Sequence, residues 1–359
     1  MARFKILTVV GARPQFVKAA ALSRAVAASG QFSEILVHTG QHFDREMSRI
    51  FFDELGLAEP DYDLGIHGGS HGEMTGRMLP AVERVILAER PDLVVVPGDT
   101  TSTLAGALAA AKLHVPLAHL EAGLRSFNRR MPEEINRVLT DHMSSLLLCP
   151  TETAVANLRR EGIEVGVHAI GDVMYDATLY AAAASRASDI LDRLGIAGRS
   201  YAVATVHRAE NTETPAALSS ILDFLAARSE EHKVVLPMHP RTRQRIAEWG
   251  VEIGPILACE PLGYLDMHCL LGSAAAVYTD SGGLQKEAYF HRVPCVTLRD
   301  ETEWVETVEA GWNRLWQGPD FAARRDIAAY GDGHAAEKAV AIMIEYCRCR
   351  ATAGSAPSS

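Results

Sequence analysis

Along this chain, short β-rich apolar runs alternate with longer stretches of helical period. Runs at Lys5–Val10, Ser33–Thr39, Leu93–Pro97, Leu117–Leu120 and Leu146–Pro150 predict strands, and Ala-rich segments such as Ala19–Ala28 and Thr103–Leu113 predict helices between them. Val167–Asp172 reads as a last strand and turn. The pattern then restarts. Tyr201–Thr205, Lys233–Pro237, Gly254–Ala258, Ala275–Thr279 and Cys295–Leu298 predict a second set of strands, separated by helices such as Pro215–Arg228 and Leu284–Phe290. Alternation of this kind is the signature of parallel βαβ units. Two such series predict an α/β protein of two Rossmann-like, doubly wound domains, residues 1–172 and 173–350, with the boundary near Gly171–Tyr180. His334–Tyr346 has apolar residues at helical spacing and is expected to pack back on the body, and 351–359 reads as a flexible tail. Doubly wound sheets bind ligands beyond the carboxyl ends of their strands, so two facing sheets would form a deep cleft.

Composition narrows the function. A length of 359 residues suits two cores, and the 48% hydrophobic and 22% charged content is that of a folded globular protein. A net charge of −10 argues against a nucleic-acid partner, although a local basic cluster can still hold a small anion. The N-terminus reads as a first strand rather than a signal peptide, and no run of 18 apolar residues predicts a membrane partner. The six cysteines have no CxxC spacing, which fits buried thiols in a reducing cytoplasm. No His/Cys/Asp group has metal-ligand spacing, so no metal is expected.

The candidate chemistry lies just beyond strand ends. Gly11-Ala12-Arg13-Pro14-Gln15-Phe16-Val17-Lys18 follows the first strand and opens a helix, where free N–H groups, Arg13 and Lys18 favour an anion. It is not GxGxxG, and the same residues would also suit a capped surface helix. Thr279-Asp280-Ser281-Gly282-Gly283 precedes a second helix. Ser281, Gly282 and Gly283 offer a hydroxyl and unobstructed backbone to a diphosphate, and Glu287 lies one turn further on, able to accept from a ribose diol. Asp99, Glu121 and Glu133 are strand-end or helix-start carboxylates. Converging on one pocket, such groups would raise one another's pKa, as acid/base work needs; in isolation they would serve as helix caps. Of the 14 histidines, His207 with Arg208, His239 and His42 follow strand ends. Ser281 lacks a GxSxG elbow and does not read as a nucleophile.

Together the segments GARPQFVK, TGQH, GDTTSTLAGALAA, HLEAGLRS, MPEEINR, CPTETAVANL, GDVMYDA, HRAENT, PMHPRT, TDSGGLQKEA and RDETEWVE resemble, in one order over residues 11 to about 307, the non-hydrolysing UDP-N-acetylglucosamine 2-epimerases. The resemblance implies a GT-B-like pair of Rossmann domains, a homodimer, and a cofactor-free isomerase that interconverts UDP-GlcNAc and UDP-ManNAc. UDP is eliminated to leave a 2-acetamidoglucal and is then added back after proton return on the other face. By the same resemblance Asp99, Glu121 and Glu133 are the acid/base carboxylates, and His207 and Arg13 stabilise the departing diphosphate with support from Lys18. Ser281, Gly282 and Gly283 hold its oxygens and Glu287 the ribose, with Arg208 and His239 also in the UDP-sugar site. Gln285-Lys286-Glu287, Glu303-Trp304-Val305-Glu306 and the Ser-Phe-Asn after Arg125 look like a branch that includes epimerases of UDP-2,3-diacetamido-glucuronic acid. That sugar is the alternative substrate, and Lys286, Arg125 or Arg129 are candidates to meet its carboxylate. Gln41 and His42 match part of a Gln-His-x-Gln stretch that binds an activating second UDP-GlcNAc in some bacterial members, but Asp44 replaces the last Gln. Two further classes share the fold: a GT-B glycosyltransferase, which would keep the donor C2 proton, and a hydrolase releasing free ManNAc.

Overall fold

The computed structural model describes residues 3–41 and 52–353. The chain divides into two compact units, one formed by residues 1–177 with 328–359 and the other by residues 178–327.

In the first unit the elements run β1 (Phe4–Val10), α1 (Arg13–Ser29), β2 (Phe32–His38), β3 (Tyr62–Asp63), α2 (His71–Glu89), β4 (Leu93–Pro97), α3 (Thr101–Lys112), β5 (Leu117–Leu120), α4 (Pro132–Met143), β6 (Leu146–Cys149), α5 (Glu152–Arg160), β7 (Val167–Ala169) and α6 (Val173–Ala184, which runs into the second unit). The seven strands are parallel in the order β3-β2-β1-β4-β5-β6-β7. The order reverses between β1 and β4, the switch point at which a doubly wound sheet opens a crevice. Helix ends follow local chemistry: Pro14 fits the first turn of α1, Gly30 ends it at φ 62°, and Ser70 and Glu73 cap α2 reciprocally. Val82, Val85 and Ile86 of α2 and Ala107 and Ala110 of α3 bury Leu7, Val9, Val37, Val94 and Val96 of the sheet. Small residues let α3 sit close, since a Cβ at Gly106 would lie 3.0 Å from Val96.

The second unit repeats this plan with β8 (Tyr201–Thr205), α7 (Pro215–Arg228), β9 (Lys233–Pro237), α8 (Pro240–Trp249), β10 (Leu257–Cys259), α9 (Tyr264–Leu271), β11 (Ala276–Thr279), α10 (Gly282–Phe290), β12 (Cys295–Thr297) and β13 (Asn313–Leu315). Its six parallel strands are ordered β10-β9-β8-β11-β12-β13, with the switch point between β8 and β11. The core packs Leu218, Ile221, Leu222 and Leu225 of α7 on Ala202, Ala204, Val234 and Leu236. The two-strand-series reading therefore matches the observed sheets.

The differences from expectation that bear on the architecture lie at β10 and in the last helix. The β10 strand begins at Leu257 rather than Gly254, because Gly254 is at φ 58° and Pro255 follows it. The last helix, α11 (Ala335–Ala353), extends past Ala351, into the segment read as tail. It also belongs with the first unit, not with residues 173–327. Its buried stripe of Ala336, Ala339, Val340, Met343 and Cys347 supplies the apolar side. The Asp176 carboxylate accepts from the amides of Ala335 (3.2 Å) and Ala336 (2.8 Å) at its N-terminus. All six cysteines are free; Cys149, Cys295 and Cys347 are buried and Cys349 is exposed. Among the described residues no helix is long and apolar enough to cross a membrane, and no His/Cys/Asp/Glu group could hold a metal ion.

Candidate active site

At the first switch point the loops after β1 and β4 are tied together by Gln15. Its Oε1 accepts from the amides of Gly11 (2.8 Å) and Ala12 (3.1 Å), and its Nε2 donates to Pro97 O (2.8 Å) and Thr103 Oγ1 (3.0 Å). Gly11 is required here, since a Cβ would lie 2.1 Å from both Ser102 Oγ and Thr39 Oγ1. Arg13 stands at the start of α1 beside this turn. One turn on, the buried Lys18 ammonium pairs with the buried Glu121 carboxylate. Glu121 is at φ 75°, a left-handed conformation that a non-glycine residue holds only against strain. Gly98, also left-handed at φ 67°, lies over this pair, 3.3 Å separating its virtual Cβ from Lys18 Nζ.

Asp99 follows Gly98 and is 27% exposed at its side chain. Its Oδ2 accepts from Arg137 Nη2 at 2.6 Å, and its carbonyl from Asn136 Nδ2 at 2.9 Å. Burial pushes the Asp99 carboxyl above the ordinary aspartate range. The charges of Arg137 and Lys18 oppose that shift, while Glu121 and Glu133 add to it. Lys18, Glu121, Glu133 and Arg137 thus all act electrostatically on Asp99, which brings four of the sequence candidates together. Glu133 is exposed in the first turn of α4. Its neighbour Glu134 is buried and accepts from Ser126 N (2.8 Å) and Phe127 N (2.9 Å), so it shapes the 124–131 loop.

Beneath these carboxylates lies a buried network that sequence reading passed over. His119 bridges Asp141 Oδ1 (2.6 Å, at Nδ1) and Gly98 O (2.7 Å, at Nε2), so the turn bearing Asp99 is braced from β5. Asp141 also accepts from Gly123 N (3.1 Å) and Arg125 Nη1 (2.7 Å), and Arg125 Nε donates to Glu161 (2.6 Å). Arg125 is only 1% exposed and committed on both sides, which removes it as a candidate for a sugar carboxylate. The HLEAG segment carried the only signal, a histidine inside an otherwise apolar strand. Gln41 accepts from Ser102 N (3.1 Å) and Ser102 Oγ (2.7 Å). His42 lies outside the described residues.

At the second switch point the organiser is Asp280, fully buried beyond β11. Its Oδ2 accepts from the amides of His207 and Arg208 and from Asn211 Nδ2, each at 2.9 Å, and its Oδ1 is 3.0 Å from His207 Nδ1. Burial acts to raise the Asp280 pKa, but the contacts with His207, Arg208 and Asn211 outweigh it and hold the carboxyl below its ordinary range. His207 is therefore a half-buried imidazole backed by a carboxylate, and its ring lies 5.8 Å from that of His239. His239 caps α8 through Nδ1, 3.2 Å from Arg241 N. Ser281 caps α10 by accepting from Leu284 N (3.4 Å), while Gly282 and Gly283 form its first turn. Glu303 reaches this turn, with Oε1 2.2 Å from where a Gly282 Cβ would stand. Lys286 is buried with its ammonium 3.9 Å from the centroid of Trp304. Glu287 is nearly buried, 3.7 Å from His268 Nε2.

Comparison with known proteins converges on one family. A family model described as UDP-N-acetylglucosamine 2-epimerase matches residues 24–344. A UDP-2,3-diacetamido-2,3-dideoxy-D-glucuronate 2-epimerase of Pseudomonas aeruginosa is 55% identical over 316 residues, 87% of this chain and 88% of that protein. A UDP-N-acetylglucosamine 2-epimerase of Methanocaldococcus jannaschii is 43% identical over 322 residues, again 87% and 88% of the two chains. The crystal structure of M. jannaschii UDP-GlcNAc 2-epimerase in complex with UDP-GlcNAc and UDP superposes with a TM-score of 0.84 at 40% identity, covering 96% of this chain and 100% of that one. An α,α-trehalose 6-phosphate synthase of Burkholderia multivorans shares the fold alone, at a TM-score of 0.53, 14% identity and coverage of 99% and 100%. With a family model spanning most of its length and close relatives that are epimerases, the chain belongs to the UDP-N-acetylglucosamine 2-epimerase family and is an isomerase.

Proposed function

We propose that the chain inverts C2 of a UDP-2-acetamido sugar by eliminating and re-adding UDP, without a cofactor. The observation that carries this reading is Asp99: a carboxyl raised by burial, 2.6 Å from Arg137 and electrostatically coupled to Lys18, Glu121 and Glu133, at the switch point of a doubly wound sheet. In elimination the C2–H and C1–O bonds break: the proton passes to a carboxylate, the C2–H electron pair forms the C1=C2 double bond, and the C1–O pair leaves with UDP. In re-addition the C1=C2 double-bond pair takes a proton at C2 from the opposite face, and a β-phosphate oxygen of UDP supplies the pair that re-forms the bond to C1. Asp99, Glu121 and Glu133 are the proton-handling groups. Arg13 and His207 stabilise the diphosphate as it departs, Lys18 supports that anion, and Arg208 and His239 bind the same nucleotide sugar. Ser281, Gly282 and Gly283 hold its oxygens, and Glu287 accepts from the ribose. Exclusion of water is needed to keep the glucal and UDP from escaping.

For the sugar we favour UDP-2,3-diacetamido-2,3-dideoxy-D-glucuronate over UDP-GlcNAc. The relative of that name is 55% identical, against 43% for the archaeal UDP-GlcNAc enzyme. Free cysteines fit a cytoplasmic setting, and a homodimer belongs to the same proposal. The decisive experiment incubates the pure protein with each UDP-sugar in D₂O and follows C2 by NMR. Deuterium entering C2 with a second epimer appearing is the expected result. Sugar passing to an acceptor with C2 still protonated would establish a glycosyltransferase instead, and free sugar as the main product a hydrolase.

A further inference from the structure

Behind Glu287 the second unit holds a pair of histidines that no catalytic step above uses. His268, on α9, is completely buried, and Glu287 is 11% exposed at its side chain. His268 Nδ1 lies 2.8 Å from Nε2 of His291, the residue that ends α10. On the other side of the ring, His268 Nε2 makes no hydrogen bond within normal length; the carboxylate oxygen Glu287 Oε1 faces it at 3.7 Å. Tyr264 packs edge-on against the same ring at 4.3 Å between centroids, so the imidazole cannot turn freely.

Proton placement follows from these contacts. Only one hydrogen can lie between Nδ1 of His268 and Nε2 of His291. If His268 donated it, a neutral ring would turn a bare lone pair toward the Glu287 carboxylate, a repulsive contact in a buried place. If His291 donates it, His268 carries its own hydrogen on Nε2, aimed at Glu287. The partner on one imidazole nitrogen thus selects the tautomer at the other, as it does for ligating histidines. Burial pushes the His291 pKa down to about 4, consistent with a neutral donor.

We propose that His268, held in its Nε2–H tautomer by His291, is the positioning residue that orients Glu287 for the ribose hydroxyls of the nucleotide. One carboxylate oxygen is steadied from behind by this N–H and the other is left for the diol. The 3.7 Å gap closes to hydrogen-bond length when the nucleotide draws Glu287 into place, since such bonds are often long before ligand arrives. The inference rests on the proposed ribose role of Glu287.

The test measures calorimetric Kd values for UDP and for 2′,3′-dideoxy-UDP. A charge-assisted contact to the diol should make the wild-type protein prefer UDP by about tenfold or more. Glu287→Gln should reduce that preference to about twofold. His268→Phe should weaken UDP by roughly fivefold while leaving dideoxy-UDP unchanged, which also reports that the unit is folded. His268→Gln, which restores an N–H donor near the Nε2 position, should recover most of the preference, and His291→Phe should lose part of it. Should His268→Phe fail to fold, His291→Phe and His268→Gln carry the same comparison. If Glu287→Gln abolishes the preference and the histidine variants keep it, the positioning role is overturned and the ribose reading stands. If Glu287→Gln itself keeps the preference, both fall.

Discussion

Replacing Asp99 with asparagine removes one titrating carboxyl at nearly constant volume, in the place where burial has most to do with its protonation. In the native protein Asp99 Oδ2 accepts from Arg137 at 2.6 Å, and the asparagine carbonyl can keep that contact. Arg137 also lies 3.4 Å from Glu134, so it is not left without a carboxylate. The fold should therefore tolerate the change. Because burial holds the native carboxyl above the ordinary aspartate range, the group is poised to exchange a proton nearer neutrality, and asparagine cannot. A positioned acid or base contributes about 10²–10⁴-fold, so kcat should fall by that factor, about 3–5 kcal/mol of barrier. The assay is deuterium incorporation at C2 of the UDP-sugar by NMR, paired with calorimetric UDP binding. UDP affinity should stay within about threefold, since the residues assigned to UDP other than Arg13 and Lys18 belong to the second unit. Exchange near the wild-type rate would refute the proton-transfer role, and loss of UDP binding in step with exchange would recast Asp99 as a binding residue.

Three further outcomes follow from the same geometry. Asp280→Asn should cost about 2–3 kcal/mol in chemical denaturation, because a fully buried charge accepting from three N–H groups is replaced by a neutral amide. The Asp280 carboxyl is held low in the fold, so its contribution is whole above the ordinary aspartate range and lost as pH falls through the folded value; wild type and variant should converge in acid, and a gap independent of pH would count against the charge. Gly11→Ala should lower stability by about 1–3 kcal/mol, since its methyl meets two hydroxyls at 2.1 Å, and an unchanged melting temperature would show that Ser102 and Thr39 yield freely. Glu303→Gln should tighten UDP binding by about two- to fivefold, because it removes a like charge from the turn assigned to the diphosphate; weaker binding would place Glu303 among the groups that hold the ligand.

The strand pattern made both sheets legible because their strands are short apolar runs beyond which Gly, Asp and His mark the loops. The edge strands β3 and β13 escaped, being two and three residues long with no apolar run of their own. Asp99, Glu121 and Lys18 were visible as strand-end and first-helix residues, but their grouping depends on Gln15 binding two loops that lie 82 residues apart. The His119–Asp141–Arg125–Glu161 network was not visible as a unit: Arg125 read as a candidate for a sugar carboxylate, and the strand histidine, helix aspartate and helix-end glutamate that hold it meet only once the fold brings them together. The last helix was placed with the wrong half because an amphipathic stripe states that a face is buried, not against what. Asp176, 159 residues upstream of Ala335, settles that question through a cap no local pattern contains.

The two switch points use aspartate in opposite ways, and that contrast is the strongest physical argument for a division of labour. Asp280 receives three N–H donors and faces His207, so the surroundings hold it ionised; it is a fixed anion that orients an imidazole and two backbone amides. Asp99 receives one side-chain donor and has Glu121 and Glu133 for company, so the surroundings favour its protonation. A site that must hold a departing diphosphate needs donors locked in place before the charge arrives, which the first arrangement provides. A site that must take a proton from carbon and return one needs a carboxyl whose protonated state is favoured relative to a free aspartate, and the second arrangement acts in that direction. Lys18 ties the two requirements together within the first unit. It pairs with Glu121, one of the negative charges beside Asp99, and its own charge, with that of Arg137, opposes the rise that burial, Glu121 and Glu133 impose on the Asp99 carboxyl.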